Sequence, residues 1–262
     1  MNDFYKLEIN LLYRRSVLHS VSVPNTCIGI GIPSWKSAHL KRRHQMTTKI
    51  CCVSASFREA DTAKKEYRPW LIVGLGNPGN KRLNQIGFEM IDQISNDEGI
   101  KLNTIQSTAL IGIGEIGKVP VVLAKSQAYM TYSGESVGPL STYYQIHRRR
   151  ILLIYDEMSL PNGVMSLVPK GGLAHHKGVK SVIEHLNGCR AFPRLCIGIG
   201  NPPGTMDMRA FLLQKFSSEE RKQMDEALEQ GVGAVRHLLL KGFDDGITKF
   251  NMVQKYKFHK VV

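Results

Sequence analysis

The stretch Trp70-Leu71-Ile72-Val73-Gly74-Leu75-Gly76-Asn77-Pro78-Gly79 decides the fold class. Its first five residues are a short apolar run typical of a buried strand, and the residues that follow are turn formers. A strand that runs into a glycine-rich loop is a common first unit of an α/β domain. The loop is a weak match to a dinucleotide-binding fingerprint, because no third glycine opens a helix at the required spacing.

Apolar runs and amphipathic segments alternate after this loop. Ser217 and Glu220 have the spacing of a capping box, which predicts a long helix that ends near Leu240. The other predicted helices cover residues 88–98, 133–144 and 178–186, and the other predicted strands cover residues 109–116, 119–124, 151–155 and 194–200. This order predicts an α/β fold, namely a single three-layer domain with a twisted, mostly parallel mixed sheet and helices on both faces.

Composition excludes several classes of protein. The chain has 262 residues, 42% of them hydrophobic and 22% charged, which excludes disorder throughout, collagen and a disulfide mini-scaffold. No apolar stretch is long enough to predict a membrane span. The five cysteines lack metal-ligand spacing, so neither a metal nor a cofactor is predicted. The net charge of +13 indicates a polyanionic partner.

Residues 1–66 are predicted to be a chloroplast transit peptide and linker, largely disordered, ahead of a domain that spans residues 67–262. Residues 1–60 carry nine Lys or Arg against three acidic residues, so +6 of the +13 lies there and +7 in the rest. Few acids with many Arg, Ser and Thr are typical of an organellar leader. Cleavage is predicted near Cys51, with Met46 as an alternative start. The alternative interpretation is a basic tail that contacts RNA.

Polar residues directly follow two of the predicted strands. Asn77 comes after the first strand and Asp156 after the strand at residues 151–155. Ligands of open α/β sheets collect beyond the carboxyl ends of the strands, so these two side chains are predicted to share a cleft. Either residue alone is also compatible with a simple turn or a helix cap.

Five motifs occur in the order found in bacterial-type peptidyl-tRNA hydrolases, and the chain resembles that family from residue 69 to about 260. The motifs are LIVGLGNPG (71–79), KSQAYMTYSG (125–134), YDEMSLPNG (155–163), KGGLAHHKG (170–178) and FPRLCIGIGNPPG (192–204). Tyr132, MSLPNG (158–163) and VQKYKFH (253–259) resemble a plant subgroup, the chloroplast group IIB intron splicing facilitators. The resemblance implies the hydrolase fold and a function with RNA.

The same resemblance identifies catalytic positions and their loss. It implies a general-base histidine oriented by a carboxylate, which is retained as Asp156, but the histidine position is Asn84. An amide has no nitrogen that accepts a proton at neutral pH. The segment between Gly79 and Gly87 has seven residues where the family has ten. This shortening is either real or a misplaced exon boundary.

Two further catalytic positions differ from the family pattern. Thr131 and Lys177 occupy positions where the family has asparagines that position water and substrate. Asn77, Met130 and Gly178 match substrate-binding positions. Useful turnover is therefore predicted to be lost or severely impaired.

Two histidines are candidates for a substitute base. His176 matches a family position, but it lies on a different loop and is predicted to require a movement toward Asp156. The favoured interpretation of His175 and His176 is that of surface histidines near a phosphate-facing loop.

Basic residues near the motifs predict an RNA-binding surface. They are Arg148, Arg149, Arg150, Lys170, Lys177, Lys180 and the tail lysines Lys255, Lys257 and Lys260. Such residues neutralise phosphates without reading sequence. The run Arg148–Arg150 is equally compatible with solvent-exposed residues at the edge of the domain that bind nothing. Tyr256 and Phe258 suit either base stacking or, in the favoured interpretation, packing against a partner protein.

The sequence thus predicts an RNA-binding, peptidyl-tRNA-hydrolase-like protein that facilitates chloroplast group IIB intron splicing. The predicted partners are group II intron RNA or tRNA and an RNA-binding splicing protein, and no membrane contact is predicted. The predicted compartment is the chloroplast stroma, with mitochondria as the alternative. The main alternative is an active organellar peptidyl-tRNA hydrolase. The third interpretation is a free-standing tRNA-binding module without a splicing role.

Overall fold

The structure is a computed structural model that describes residues 68–78, 83–172 and 176–257, apart from the side chain of Asn84. These residues lie within one unit, Asp61–Val262. The predicted leader and its boundary at residue 67 lie outside the described residues, so both stay predictions.

Strands and helices alternate along most of the described chain. The strands are β1 Trp70–Gly74, β2 Thr104–Gln106, β3 Ala109–Ile116, β4 Val119–Ser126, β5 Ile151–Glu157, β6 Met165–Val168 and β7 Arg194–Gly198. The helices are α1 Ile86–Asp97, α2 Gly134–Tyr143, α3 Lys177–His185, α4 Met208–Leu212, α5 Ser218–Lys241 and α6 Asp245–Tyr256. Short 3₁₀ helices cover Leu83–Gln85, Met130–Tyr132 and Arg148–Arg150.

All seven strands form one mixed sheet in the order β2-β3-β4-β1-β5-β7-β6. The central strands β4, β1, β5 and β7 are parallel to one another, as the βα alternation predicts. The outer strands β2, β3 and β6 pair antiparallel with their neighbours. Strands β2, β3 and β4 alternate in direction because tight turns join them, whereas parallel strands need a crossover. The predicted mixed α/β sheet is confirmed, with its parallel part confined to the centre.

Side chains that alternate along the strands fill two hydrophobic layers. Leu71 and Val73 of β1 face α2 and α3, and Ile72 between them faces α1 and α5. A strand with both faces buried reads as a continuous apolar run, which is the pattern of residues 70–74. The three-layer arrangement predicted from the sequence is confirmed.

Two glycines let α1 approach the sheet unusually closely. A Cβ added at Gly74 would lie 2.3 Å from the carbonyl oxygen of Gly87, and one added at Gly87 would lie 2.3 Å from that of Leu75. Only residues without side chains permit this contact. It places the first turn of α1, and the 3₁₀ helix before it, against the ends of β1 and β5.

The C-terminal part of the described chain is a helix that the sequence analysis missed. Ser217 and Glu220 form the predicted capping box of α5, and Asp244 caps α6 by accepting from the backbone N–H groups of Gly246 and Ile247. Lys257, taken as part of a tail, donates from Nζ to the carbonyl of Gly163 at 3.0 Å. Among the described residues, none of the helices has the length and apolar character needed to cross a membrane.

Candidate functional site

The candidate site lies at the edge of the sheet where β4, β1, β5 and β7 end, which we call the carboxyl edge. Asn77 follows β1, Met130 follows β4, and Asp156 is the penultimate residue of β5. Helix α3 leads into β7, so it must begin at this same edge, with His176 directly before it. The convergence of Asn77 and Asp156 at one edge agrees with the sequence prediction.

Asp156 and His176 form a buried pair. His176 Nε2 lies 3.2 Å from Asp156 Oδ1, and the two side chains are 10% and 6% exposed. His176 also caps α3, because its Nδ1 accepts from the backbone N–H of Val179 at 3.3 Å. The ring of Tyr155 packs at 4.9 Å from the imidazole. Both ring nitrogens of His176 therefore have protein partners.

The sequence-based interpretation of His176 was wrong. The imidazole needs no movement to reach Asp156, and it is not a surface side chain. The signal was present in the connectivity, since a helix that precedes a parallel strand begins at the carboxyl edge of the sheet. His175 lies outside the described residues.

The predicted substrate-binding residues come together around Gly178. Asn77 Oδ1 accepts from the backbone N–H of Met130 at 2.8 Å, which fixes the turn after β4. A Cβ added at Gly178 would lie 3.0 Å from Met130 Sδ and 3.1 Å from His176 Cε1. Gly178 thus lets the start of α3 pack against the Met130 turn.

The three altered catalytic positions have different environments. Thr131 is exposed in the 3₁₀ helix Met130–Tyr132, and Lys177 is exposed as the first residue of α3. Asn84 belongs to the 3₁₀ helix Leu83–Gln85, but its side chain is outside the described set, so its predicted approach to Asp156 stays a prediction. The neighbouring Gln85 donates from Nε2 to the carbonyl of Asn77 at 2.8 Å and so connects that helix to the cleft.

A thiol lies near the cleft but is not a nucleophile. Cys196 on β7 donates to the hydroxyl of Tyr155 at 3.2 Å. Burial raises the pKa of the Cys196 thiol to about 11, and burial also raises the pKa of the Tyr155 phenol well above its usual value. Both groups are therefore protonated at neutral pH, and a thiol nucleophile requires the thiolate.

Arg194 holds the loop that leads into α3, a role that sequence analysis missed. Its buried guanidinium donates to the carbonyls of Gly172 at 2.8 Å and Gly171 at 3.1 Å and packs on the ring of Phe192. A Cβ at Gly171 would meet the guanidinium at 2.7 Å. Gly171 in the Gly171-Gly172 pair thus leaves the space that the buried guanidinium of Arg194 occupies. Neither segment of sequence indicates this contact alone.

The basic residues predicted to bind RNA do not form one surface. Lys177 and Lys180 are exposed on the first turn of α3 beside the cleft. Arg148–Arg150 precede β5, whereas Asp156 lies near its end, so about 20 Å separates them at about 3.3 Å per residue. The expectation that these arginines lie near the cleft was wrong, because they occupy the opposite edge of the sheet. Lys255 belongs to α6 rather than to a tail, and Lys260 and Phe258 lie outside the described residues.

The described side chains at the cleft do not form a donor set that suits a metal. Among the described residues, no group of three or more His, Cys, Asp or Glu side chains is arranged to hold an ion. The Asp156–His176 pair alone offers too few ligands for the metal sites that hydrolases use.

Comparison with known families agrees with this geometry. A sequence model of the peptidyl-tRNA hydrolase family matches residues 71–259. The chain belongs to this family. The crystal structure of the peptidyl-tRNA hydrolase from Acinetobacter baumannii matches with a TM-score of 0.63 at 33% identity, covering 72% of this chain and 94% of that one.

Within the peptidyl-tRNA hydrolase family, one group of relatives is more similar than another. The chloroplastic group IIB intron splicing facilitator CRS2 of Zea mays is 65% identical over 254 residues, which cover 93% of this chain and 99% of that protein. The chloroplastic peptidyl-tRNA hydrolase of Arabidopsis thaliana is 47% identical over 186 residues, covering 70% of this chain and 65% of that protein. The resemblance to the splicing-facilitator subgroup is thereby confirmed.

Proposed function

We propose that this chain is a chloroplast RNA-binding protein that facilitates the splicing of group IIB introns and has lost, or nearly lost, peptidyl-tRNA hydrolysis. Its 65% identity to the splicing facilitator of Zea mays, against 47% to the chloroplastic hydrolase, supports this function. The relatives named chloroplastic support the compartment, which we place in the stroma. Mitochondria are the alternative compartment.

The engagement of both nitrogens of His176 carries the proposed loss of catalysis. Because Nδ1 accepts from Val179, the ring proton lies on Nε2 and is donated to Asp156. In this tautomer neither nitrogen can remove a proton from water unless the helix cap breaks. With asparagine at position 84, the cleft holds no other imidazole among its described residues, and loss of a general base alone costs about 10²–10⁴ in rate.

A deacylation assay tests the proposed loss. We expect the full chain, incubated with N-acetyl-aminoacyl-tRNA, to release the acyl-amino acid at the rate of the buffer alone. The Acinetobacter baumannii hydrolase serves as the positive control. Asp156→Ala serves as the matched variant, and its rate of release should equal that of the unchanged chain.

The same assay also tests the alternative function, an active hydrolase. The 3.2 Å contact between His176 and Asp156 favours it, since an imidazole oriented by a carboxylate is the usual arrangement of a general base. Release above background that disappears in both Asp156→Ala and His176→Gln would establish that activity and overturn the proposed loss.

We place one RNA contact at the start of α3. Lys177 and Lys180 are exposed there, and the first turn of a helix carries a partial positive charge that favours phosphate. The lysine at position 177 brings a charge where the family has an amide. Either group II intron RNA or tRNA suits such a contact, and a tRNA-binding module without a splicing role is the weaker interpretation.

We place the partner-protein contact on the outer face of α6. Met252, Val253 and Tyr256 are all more than half exposed there, which is unusual for three large apolar side chains on two turns. Val253 also borders a groove between α5 and α6. An RNA-binding splicing protein is the partner that the proposed function requires.

Immunoprecipitation from chloroplast stroma tests the splicing role. We expect the RNA bound to the protein to be enriched in group IIB intron sequences, with an unrelated stromal protein of equal abundance as control. An Asp156→Ala variant should give the same enrichment, because the proposed role does not use the cleft carboxylate. Enrichment of tRNA but not of group IIB intron RNA would contradict the splicing role and favour the tRNA-binding module.

A further inference from the structure

Positive charge collects at the edge of the sheet opposite the cleft, which we call the amino edge. Four neighbouring parallel strands begin there, and the basic residues that precede them are Lys118 before β4, Arg68 before β1, Arg148–Arg150 before β5 and Arg190 before β7. Strand β6 runs the other way, so Lys170 follows its end, where Val168 pairs with the first residue of β7. Five adjacent strands therefore contribute cations to one edge.

The arginines lie on loops that enter adjacent strands, in the order β1-β5-β7. Neighbouring strands lie about 4.8 Å apart, which sets the spacing between the contributing loops. Arg150 donates from its guanidinium to the backbone carbonyl of Arg68, which connects the entries of β1 and β5. We call Arg68, Arg148, Arg149, Arg150 and Arg190 the arginine row.

Three members of the arginine row face solvent. Arg148, Arg149 and Arg190 are exposed, and none of the three forms an ion pair with a described residue. The acidic residues on the neighbouring elements are Glu115 at the end of β3, Glu184 in the last turn of α3, and Asp97 and Glu98 at the end of α1, where Glu98 is already paired with Arg236. Helices α1, α2 and α3 end at this edge, and each end contributes only about half a negative charge. The surface therefore remains strongly positive.

A groove beside the arginine row has the size of a nucleotide site. Its volume is about 660 Å³, and its lining includes Tyr143, Gln145, Arg148 and His185 from the ends of α2 and α3 and the residues after α2. Tyr143 is 43% exposed. Proteins that bind single-stranded nucleic acid commonly combine an exposed aromatic ring with nearby cations. The bases stack on the ring, and the phosphates accept hydrogen bonds from the guanidinium groups.

We propose that the arginine row and this groove bind single-stranded RNA, with phosphates on the arginines and a base against Tyr143. This surface lies about 20 Å from Asp156, at the opposite end of β5, so it is a separate site from the cleft. The proposal goes beyond the proposed function, since it requires RNA binding alone and not splicing. It also gives the charge of the described domain a location other than the hydrolase cleft.

Fluorescence anisotropy with a labelled 20-nucleotide oligouridine tests this surface on the full chain. Replacing Arg148, Arg149 and Arg190 together by glutamine should weaken binding by about tenfold to a hundredfold at 0.1 M salt. The slope of log affinity against log salt should fall by about 2, since each phosphate contact in single strands contributes about 0.7. The corresponding triple lysine variant should keep the slope, because it keeps the three charges.

Matched controls separate this surface from general electrostatics. Lys215, Lys222 and Lys249 are exposed on other elements, and their triple glutamine variant removes the same charge. We expect that variant to bind within about threefold of the unchanged chain. Equal weakening by both glutamine variants, no weakening by either, or displacement of the RNA by polyglutamate of equal charge would overturn the proposal. Absence of binding by the unchanged chain would also overturn it, whereas intron enrichment tests the splicing role independently.

Discussion

Replacing Gly87 by alanine is expected to lower the free energy of unfolding by about 3 kcal/mol or more, at or above the upper end of ordinary overpacking. The added Cβ would lie 2.3 Å from the carbonyl oxygen of Leu75 and 2.6 Å from that of Ile154. Both oxygens belong to backbone at the carboxyl ends of central strands, and Leu75 N–H donates to Ile154 O at 2.9 Å. The neighbours therefore cannot move apart without breaking the sheet.

Gly233 provides the matched control for this prediction. It lies within α5, and an added Cβ there would meet nothing within 4 Å. Gly233→Ala should raise the free energy of unfolding by about 0.5–1 kcal/mol through helix propensity alone. Urea denaturation followed by circular dichroism measures both variants. If Gly87→Ala were as stable as Gly233→Ala, the close approach of α1 to the sheet would be incorrect.

Replacing His176 by alanine is expected to cost about 2–4 kcal/mol of unfolding free energy, because two interactions disappear together. The helix cap at Val179 contributes about 1 kcal/mol, and leaving the buried Asp156 without its partner costs about 1–3 kcal/mol. Asparagine is a good N-cap residue, so His176→Asn should lose only the contact with Asp156. The difference between the two variants isolates the cap.

A double-mutant cycle between His176 and Asp156 completes this test. We expect His176→Asn and Asp156→Asn to be non-additive by about 0.5–3 kcal/mol, as is usual for side chains in direct contact. Thermal unfolding of the two single variants and the double variant gives the coupling. Additive effects would mean that the two side chains do not interact, and the proposed donation from Nε2 of His176 to Asp156 would then be incorrect.

The central elements of the fold could be predicted because their sequences carry strong periodic signals. The strands at residues 70–74 and 151–157 are buried on the sheet and therefore nearly continuously apolar, and the strand at residues 109–116 is mostly apolar although it exposes Ile113 and Glu115. Strand β2 has only three residues, mostly exposed, and β6 has four, so neither offers a pattern to detect. Helix α6 was missed because its end carries the family motif, which was interpreted as a tail.

The candidate site could be predicted only where a single strand end determined the position. Asn77 and Asp156 converge because their strands are parallel and adjacent. The positions of His176 and of Arg148–Arg150 depend on which edge a helix or strand starts from, and that follows from topology rather than from local sequence. Arg194 could not be predicted to support the Gly-Gly loop, because their contact joins segments that are 22 residues apart.

The separation of the two edges by the length of β5 has an evolutionary consequence. The residues that the hydrolase family uses for chemistry occupy one edge, and the arginine row occupies the other. Substitutions such as those at positions 131 and 177 alter exposed side chains at the first edge and leave the strand entries at the second untouched. A lineage can therefore abandon an enzymatic activity while selection continues to maintain the same scaffold, its stability and its affinity for a polyanion.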